Sequence, residues 1–310
     1  MKRRAKVRAA VNLIDEHDLL VSKNYLNILE KMGHKPVVTS NWLNGASFWL
    51  SDSEKRDVEK LHFVKKIQKV ASSNLKPRPV DIEPTYPERL QKPGIHSLDY
   101  GASFFQNDLL KVPAVHDLGI TGRGVWIGML DTGFKYKDHE AFQNLQVLAE
   151  FDFIHNDDIT ENQEGQDHPA QHNHGTQTLS TIGGFQEGEL IGPAFDASFL
   201  LAKTEILDQE IPPEEDFWVA GIEWLENQGV DIVSSSLGYL DFYNPSDMDG
   251  NTAVTTMAAD LAVSRGVVVV NSAGNERQSS WHIIIAPADG DSVIAVGAVI
   301  EDEKGQILLV

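Results

Sequence analysis

Three observations predict an α/β protein with a parallel, doubly wound sheet carrying helices on both faces, preceded by a small ferredoxin-like α/β unit. From Tyr100 onward, short apolar runs of strand length alternate with longer stretches that are apolar at helical spacing, the pattern of repeated β-α units. Several of those runs are apolar throughout instead of alternating, as strands are when both faces of a sheet are covered. Between residues 72 and 93, five prolines (Pro77, Pro79, Pro84, Pro87 and Pro93) with little apolar periodicity mark an extended linker. The chain therefore divides into a unit over 1–71, a linker over 72–98 and a larger domain over 99–310.

In the first unit, a strand is expected over 6–13 and a helix over 22–32, with Ser22 as N-cap and Gly33 just past its end. Two strands, 36–39 and 46–50, flank a polar turn containing Asn44-Gly45, a hairpin signal. A second helix opens at Ser51-Asp52-Ser53-Glu54, and a strand over 64–70 closes a β-α-β-β-α-β order, the split unit of ferredoxin-like folds.

In the larger domain, strands are expected at 125–130, 147–154, 198–203, 232–236, 267–271 and 293–299. Helices are expected at 174–182, 214–227 and 252–264, the last two followed by Gly229 and Gly266.

Composition narrows the function. The 310 residues carry a formal charge of −20, which disfavours phosphate backbones and anionic membrane surfaces, so neither nucleic acid nor membrane is an expected partner. No cysteine is present, which excludes disulfides, thiolate zinc sites and a cysteine nucleophile. No apolar run approaches the roughly 18 to 20 residues that span a bilayer. Met1-Lys2-Arg3-Arg4 has the basic character of an export signal, but the segment from Val11 to Asp18 is not a continuous apolar core, so no export signal is read here.

Three short segments carry the chemistry. Asp131-Thr132-Gly133 ends the strand over 125–130, so Asp131 stands at the carboxyl end of a parallel strand, where open α/β sheets place their sites. A carboxylate there orients an imidazole, or it merely caps the next segment. A strand followed by Asp-Thr-Gly also suits an aspartic protease, but that chemistry needs a second copy and the chain has none. Gly122, Gly124 and Gly128 miss the dinucleotide spacing.

His174 opens His174-Gly175-Thr176 at a helix start, as a rigidly aimed base. His168, His172 and His174 match no zinc signature, and no metal site is assigned to them. Ser272-Ala273-Gly274-Asn275 follows an apolar strand; its small residues allow close approach of a substrate, and the Asn275 amide is a donor for a developing oxyanion, or the segment is simply a turn. Asp231-Ile232-Val233-Ser234-Ser235-Ser236-Leu237-Gly238 runs into a polar strand end that either pairs with an extended peptide or has no ligand at all. None of its serines lies in a Gly-x-Ser-x-Gly elbow.

Asp131-Thr132-Gly133, His174-Gly175-Thr176, Ser236-Leu237-Gly238 and Ala273-Gly274-Asn275 resemble, in sequence and in order, the subtilisin-like (subtilase, S8) serine peptidases, whose chain order subtilisin itself exemplifies. The resemblance implies a secreted serine endopeptidase made as a zymogen, acting on peptide or protein substrates. It implies Asp131 as the orienting acid, His174 as the general base, Asn275 as the oxyanion donor, and Ser236, Leu237, Gly238, Ala273 and Gly274 as substrate-binding. Residues 1–71 become an inhibitory prodomain, an intramolecular partner, with self-cleavage in the linker. No cofactor is required. Calcium is common in the family, and Asp152, Asp157, Asp158 and Glu161 are acidic residues that could supply oxygens, without the spacing of a ligand loop; a solvated acidic loop is the plainer account.

The family places its nucleophile in Gly-Thr-Ser at the start of a later helix, and that tripeptide occurs nowhere in these residues. The expectation is a chain incomplete at its carboxyl end and inactive as written. The alternative is a catalytically dead member that binds peptides or inhibits a protease.

Overall fold

The computed structural model describes residues 14–70, 96–207, 213–240, 243–276, 279–301 and 307–309. In the N-terminal unit, the chain forms α1 (Lys23–Lys31), a hairpin of β1 (Thr39–Ser40) and β2 (Gly45–Ala46), and α2 (Asp52–Val58). This is the central α-β-β-α part of the expected order; the strand over 6–13 and most of the linker lie outside the described residues. Ser22 precedes α1 but its hydroxyl makes no cap. Its main-chain oxygen serves the first turn instead, accepting Tyr25 N and Leu26 N at 3.0 and 3.1 Å. Asn44 turns the hairpin at φ +46°, a conformation asparagine tolerates. The regular ladder is shorter than expected, though Val37 and Ser47 continue its hydrogen bonding. Ser51 and Glu54 form a reciprocal capping box on α2. The expected strand over 64–70 does not form: a strand needs a ladder partner, and none of the described residues supplies one.

The larger domain begins with two short helices, α3 (Phe104–Leu109) and α4 (Val112–His116), that the sequence reading did not anticipate. There follow β3 (Trp126–Asp131), β4 (Gln146–Asp152), α5 (Asn173–Gly183), the small hairpin β5 (Phe185–Gln186) and β6 (Leu190–Ile191), and β7 (Ser198–Lys203). Then come α6 (Glu214–Gln228), β8 (Ile232–Ser235), α7 (Val254–Ser264), β9 (Val268–Ser272), β10 (Ile294–Val296), β11 (Val299–Glu301) and β12 (Ile307–Leu309). Six strands make one parallel sheet in the order β10-β9-β8-β3-β7-β4. The expected strand over 293–299 is divided: after Gly297 the chain leaves the sheet, and β11 pairs antiparallel with β12.

Side-chain alternation along the strands builds two cores. Leu130, Leu200 and Ala202 point to one face, where they meet Trp218, Ile222 and Leu225 of α6 and Ala258 and Ala262 of α7. Met129, Phe199 and Leu201 point to the other, where Leu179 of α5 and Phe134 cover them. Burial of each large side chain contributes about 1.5–3 kcal/mol, so both helical layers are anchored to the same two central strands, β3 and β7. Among the described residues no helix is long and apolar enough to cross a membrane.

The N-terminal hairpin docks on α6 and α7. Trp42 is buried in the first of these cores, and the Glu223 carboxylate accepts the Ser40 hydroxyl as well as Asn41 N and Trp42 N, the latter two at 3.2 Å. Arg265 donates to both oxygens of Asp15 at 2.8 and 3.0 Å, and its guanidinium lies 5.0 Å from the Trp42 ring.

Candidate active site

β3 is the switch point of the sheet. The chain passes from β7 on one side of it to β8 on the other, and at such points the carboxyl ends of the strands frame a crevice. Asp131 is the last residue of β3, opposite Lys203 of β7, and is fully buried. His174 lies in the first turn of α5, and its Nδ1 is 2.6 Å from Asp131 Oδ1. A carboxylate only accepts, so Nδ1 carries a proton and donates it to Asp131 Oδ1.

The carboxylate is held from several directions. Oδ1 also accepts Thr132 N at 2.7 Å and the Thr132 hydroxyl at 3.3 Å, while Oδ2 accepts the Thr178 hydroxyl at 2.9 Å. Glycine is required at both Gly175 and Gly133, against different neighbours. A Cβ on Gly175 would collide with the Gly133 carbonyl oxygen, and Gly133, at φ +133°, would bring a Cβ to 2.6 Å from Thr160 O. Gly175 thus lets the start of α5 touch the main chain just past β3, and Gly133 lets that main chain pass against Thr160.

Ser236, Leu237 and Gly238 leave the carboxyl end of β8, next to β3, and Ala273, Gly274 and Asn275 leave that of β9, next to β8. Because the strands are parallel, both segments depart from the same edge of the sheet as Asp131. Asn271 ties them together: its buried side chain donates to Leu237 O and Ser272 O, each at 2.9 Å. Asn275 is exposed. Gly238 and Gly274 both abut Ile285.

Farther along the edge, Lys203 is fully buried, with Nζ 2.8 Å from Asp152 Oδ2 and 2.7 Å from Asp167 Oδ1. Of the acidic residues weighed for calcium, Asp152 is thus paired with a lysine, Asp157 accepts Gln163 Nε2 at 2.8 Å, and Glu161 faces Lys135 at 3.4 Å. Among the described residues no group of three or more side chains is arranged to hold a metal. His168 and His172 are separately engaged: His168 Nδ1 accepts Ala170 N and His172 Nδ1 accepts Asn162 N, both at 3.1 Å. Burial lowers the His172 pKa, in keeping with a ring nitrogen that accepts. Tyr239 donates to Glu205 Oε2 at 3.1 Å, and burial, with the nearby Glu205 charge, pushes its phenol well up.

Thr178, Gln171, Asn271 and Lys203 escaped the sequence reading. Thr178 had a signal, since it lies four residues after His174 on the same helix face. The others had none, because each has a partner remote in the chain: Thr132, Glu205 and Leu207 for Gln171, Leu237 for Asn271, Asp152 and Asp167 for Lys203.

A model described as the subtilase family matches residues 122–308, and a model of the peptidase S8 propeptide domain of Bacteroidota matches residues 1–97. The chain is 33% identical to subtilisin E of Bacillus subtilis over 66% of its own length and 47% of that protein's. It is 30% identical to the minor extracellular protease Vpr of the same species over 59% of its length and 21% of that protein's. The chain thus spans less than half the length of these relatives. Among solved structures, fervidolysin from Fervidobacterium pennivorans, a keratinolytic enzyme related to subtilisin, is similar in fold, with a TM-score of 0.62 and 20% identity over 94% of this chain and 43% of that one.

Proposed function

The chain belongs to the subtilase family of serine peptidases, with an S8 propeptide at its amino end, and from that premise we propose that Asp131, His174 and Asn275 are its acid, base and oxyanion donor for hydrolysis of peptide bonds. The observation that carries this reading is the 2.6 Å contact between His174 Nδ1 and Asp131 Oδ1. With Nδ1 committed to the acid, Nε2 takes the proton of a nucleophilic hydroxyl and later returns it to the leaving amine, while the buried carboxylate stabilises the imidazolium formed between those steps. Asn275 donates to the oxyanion of the tetrahedral intermediate. Ser236, Leu237, Gly238, Ala273 and Gly274 line the cleft and offer main-chain groups to an extended peptide.

The N-terminal residues act as an inhibitory prodomain, a reading supported by the docking of Ser40, Asn41 and Trp42 on Glu223. The substrates are peptides or proteins met outside the cytoplasm, a reading supported by the likeness to the minor extracellular protease Vpr. Gly-Thr-Ser is not among the 310 residues, and on that ground the polypeptide of this sequence has no peptidase turnover of its own. A fluorophosphonate probe tests this. No serine should be labelled; a covalent serine adduct that disappears in His174→Ala would overturn the inactivity while reinforcing the role of the base.

A further inference from the structure

Gln171 lies three residues ahead of His174, in a turn, and is only 1% exposed. Its amide nitrogen donates to Thr132 O at 2.7 Å and to Glu205 O at 2.5 Å, and its amide oxygen accepts Leu207 N at 2.8 Å. A primary amide offers two N–H donors and one carbonyl, so every polar group of this side chain is spent on main chain. Thr132 immediately follows β3 and Glu205 stands two residues past β7. The side chain therefore pins the entrance of α5 to the exits of the two central strands.

Each of those exits leads to the site. On one side Thr132 holds Asp131 Oδ1 through its own N–H, and its hydroxyl accepts Gly175 N at 3.3 Å. On the other, the Glu205 carboxylate accepts the hydroxyl of Tyr239, the residue directly after Ser236-Leu237-Gly238. The neighbouring Lys203 ties β7 to Asp152 and Asp167 and makes no hydrogen bond to Thr132 or Leu207. A buried amide with all its partners satisfied has one orientation, and what it holds shares that orientation.

We propose that Gln171 is a positioning residue, which sets the Asp131–His174 hydrogen bond by fixing the start of α5 against the ends of β3 and β7. This rests on the acid–base reading given above.

Proton NMR of the 310-residue chain tests it. The His174 Nδ1 proton, held by a carboxylate at short range, should give a resonance far downfield of the amides, assigned by its loss in His174→Ala. In Gln171→Met, which keeps the length of the side chain and removes its donors and acceptor, that resonance should be lost while the amide signals of β8 and α7 stay in place. An unchanged resonance in Gln171→Met overturns this inference and leaves the acid–base reading standing. Absence of any His174-dependent resonance from the unaltered chain removes both. Should Gln171→Met not fold, amide exchange in the unaltered chain decides: the Leu207 amide, outside any strand or helix, should be as protected as those of β7, and exchange at the rate of a free amide overturns the inference.

Discussion

Thr178 donates its hydroxyl to Asp131 Oδ2 at 2.9 Å, one helical turn beyond His174, which occupies Oδ1 of the same carboxylate. A single face of α5 thus grips both oxygens of a fully buried acid. Rotation of the carboxylate about its own axis would break bonds on both sides at once. The carboxylate is therefore held in one orientation by the same helix that carries His174.

Thr178→Val tests that grip. Valine keeps the shape and removes the hydroxyl, leaving a buried carboxylate oxygen without its donor, which costs about 1–3 kcal/mol. Denaturant unfolding should show a loss of that size. A change under about 0.5 kcal/mol, the scale of ordinary surface substitutions, would mean that the bond is not formed.

Docking of the N-terminal unit should depend on Glu223 and Trp42. Glu223→Ala would deprive the Ser40 hydroxyl and the Asn41 and Trp42 amides of their common acceptor, and Trp42→Ala would empty its place in the core at a cost of about 3–5 kcal/mol. Limited proteolysis is the readout. Both variants should lose the N-terminal residues faster than the parent chain, while the domain from Tyr100 onward stays resistant; equal cleavage rates would contradict the interface.

Asp216 makes stability depend on pH. Burial pushes its carboxyl up to about 6 from an ordinary 3.8, and a hydrogen bond with Ser47 of the N-terminal unit opposes that rise only in part. The folded chain therefore holds this proton more tightly than the unfolded one. The stability it contributes is present in full below about pH 4 and is lost as pH rises through about 6. Asp216→Asn removes the charge at nearly constant shape. It should exceed the parent in stability at pH 7, by at most about 3 kcal/mol, with the difference closing towards pH 4. Parallel stability curves for the two chains across that range would refute the assignment.

Much of the fold is legible in the chain because a parallel sheet covered on both faces leaves an uninterrupted apolar trace. β7 occupies the expected residues 198–203, and α6 differs from its expected span by one residue at its end. The failure over 64–70 has the opposite cause, since a short run of Val64, Ile67 and Val70 among lysines looks the same whether or not a partner strand lies beside it. Gly297 was read through as part of a strand, although a glycine inside an apolar run also marks where the chain turns out of a sheet. At the site, Asp131 and His174 stood out by their places at a strand end and a helix start. Gln171 did not, because a glutamine in a polar stretch has no local sign of burial; its partners, Thr132, Glu205 and Leu207, come from segments that only the sheet brings together.

The most direct test of the acid–base pair is the imidazole ¹⁵N spectrum of His174 in the intact chain. Because Asp131 can only accept, the neutral ring should carry its proton on Nδ1. In Asp131→Asn the new amide can donate to that nitrogen, and the proton should move to Nε2. An Nε2–H tautomer in the unaltered chain, or a tautomer that Asp131→Asn leaves unchanged, would contradict the pairing on which the proposed peptidase site is built.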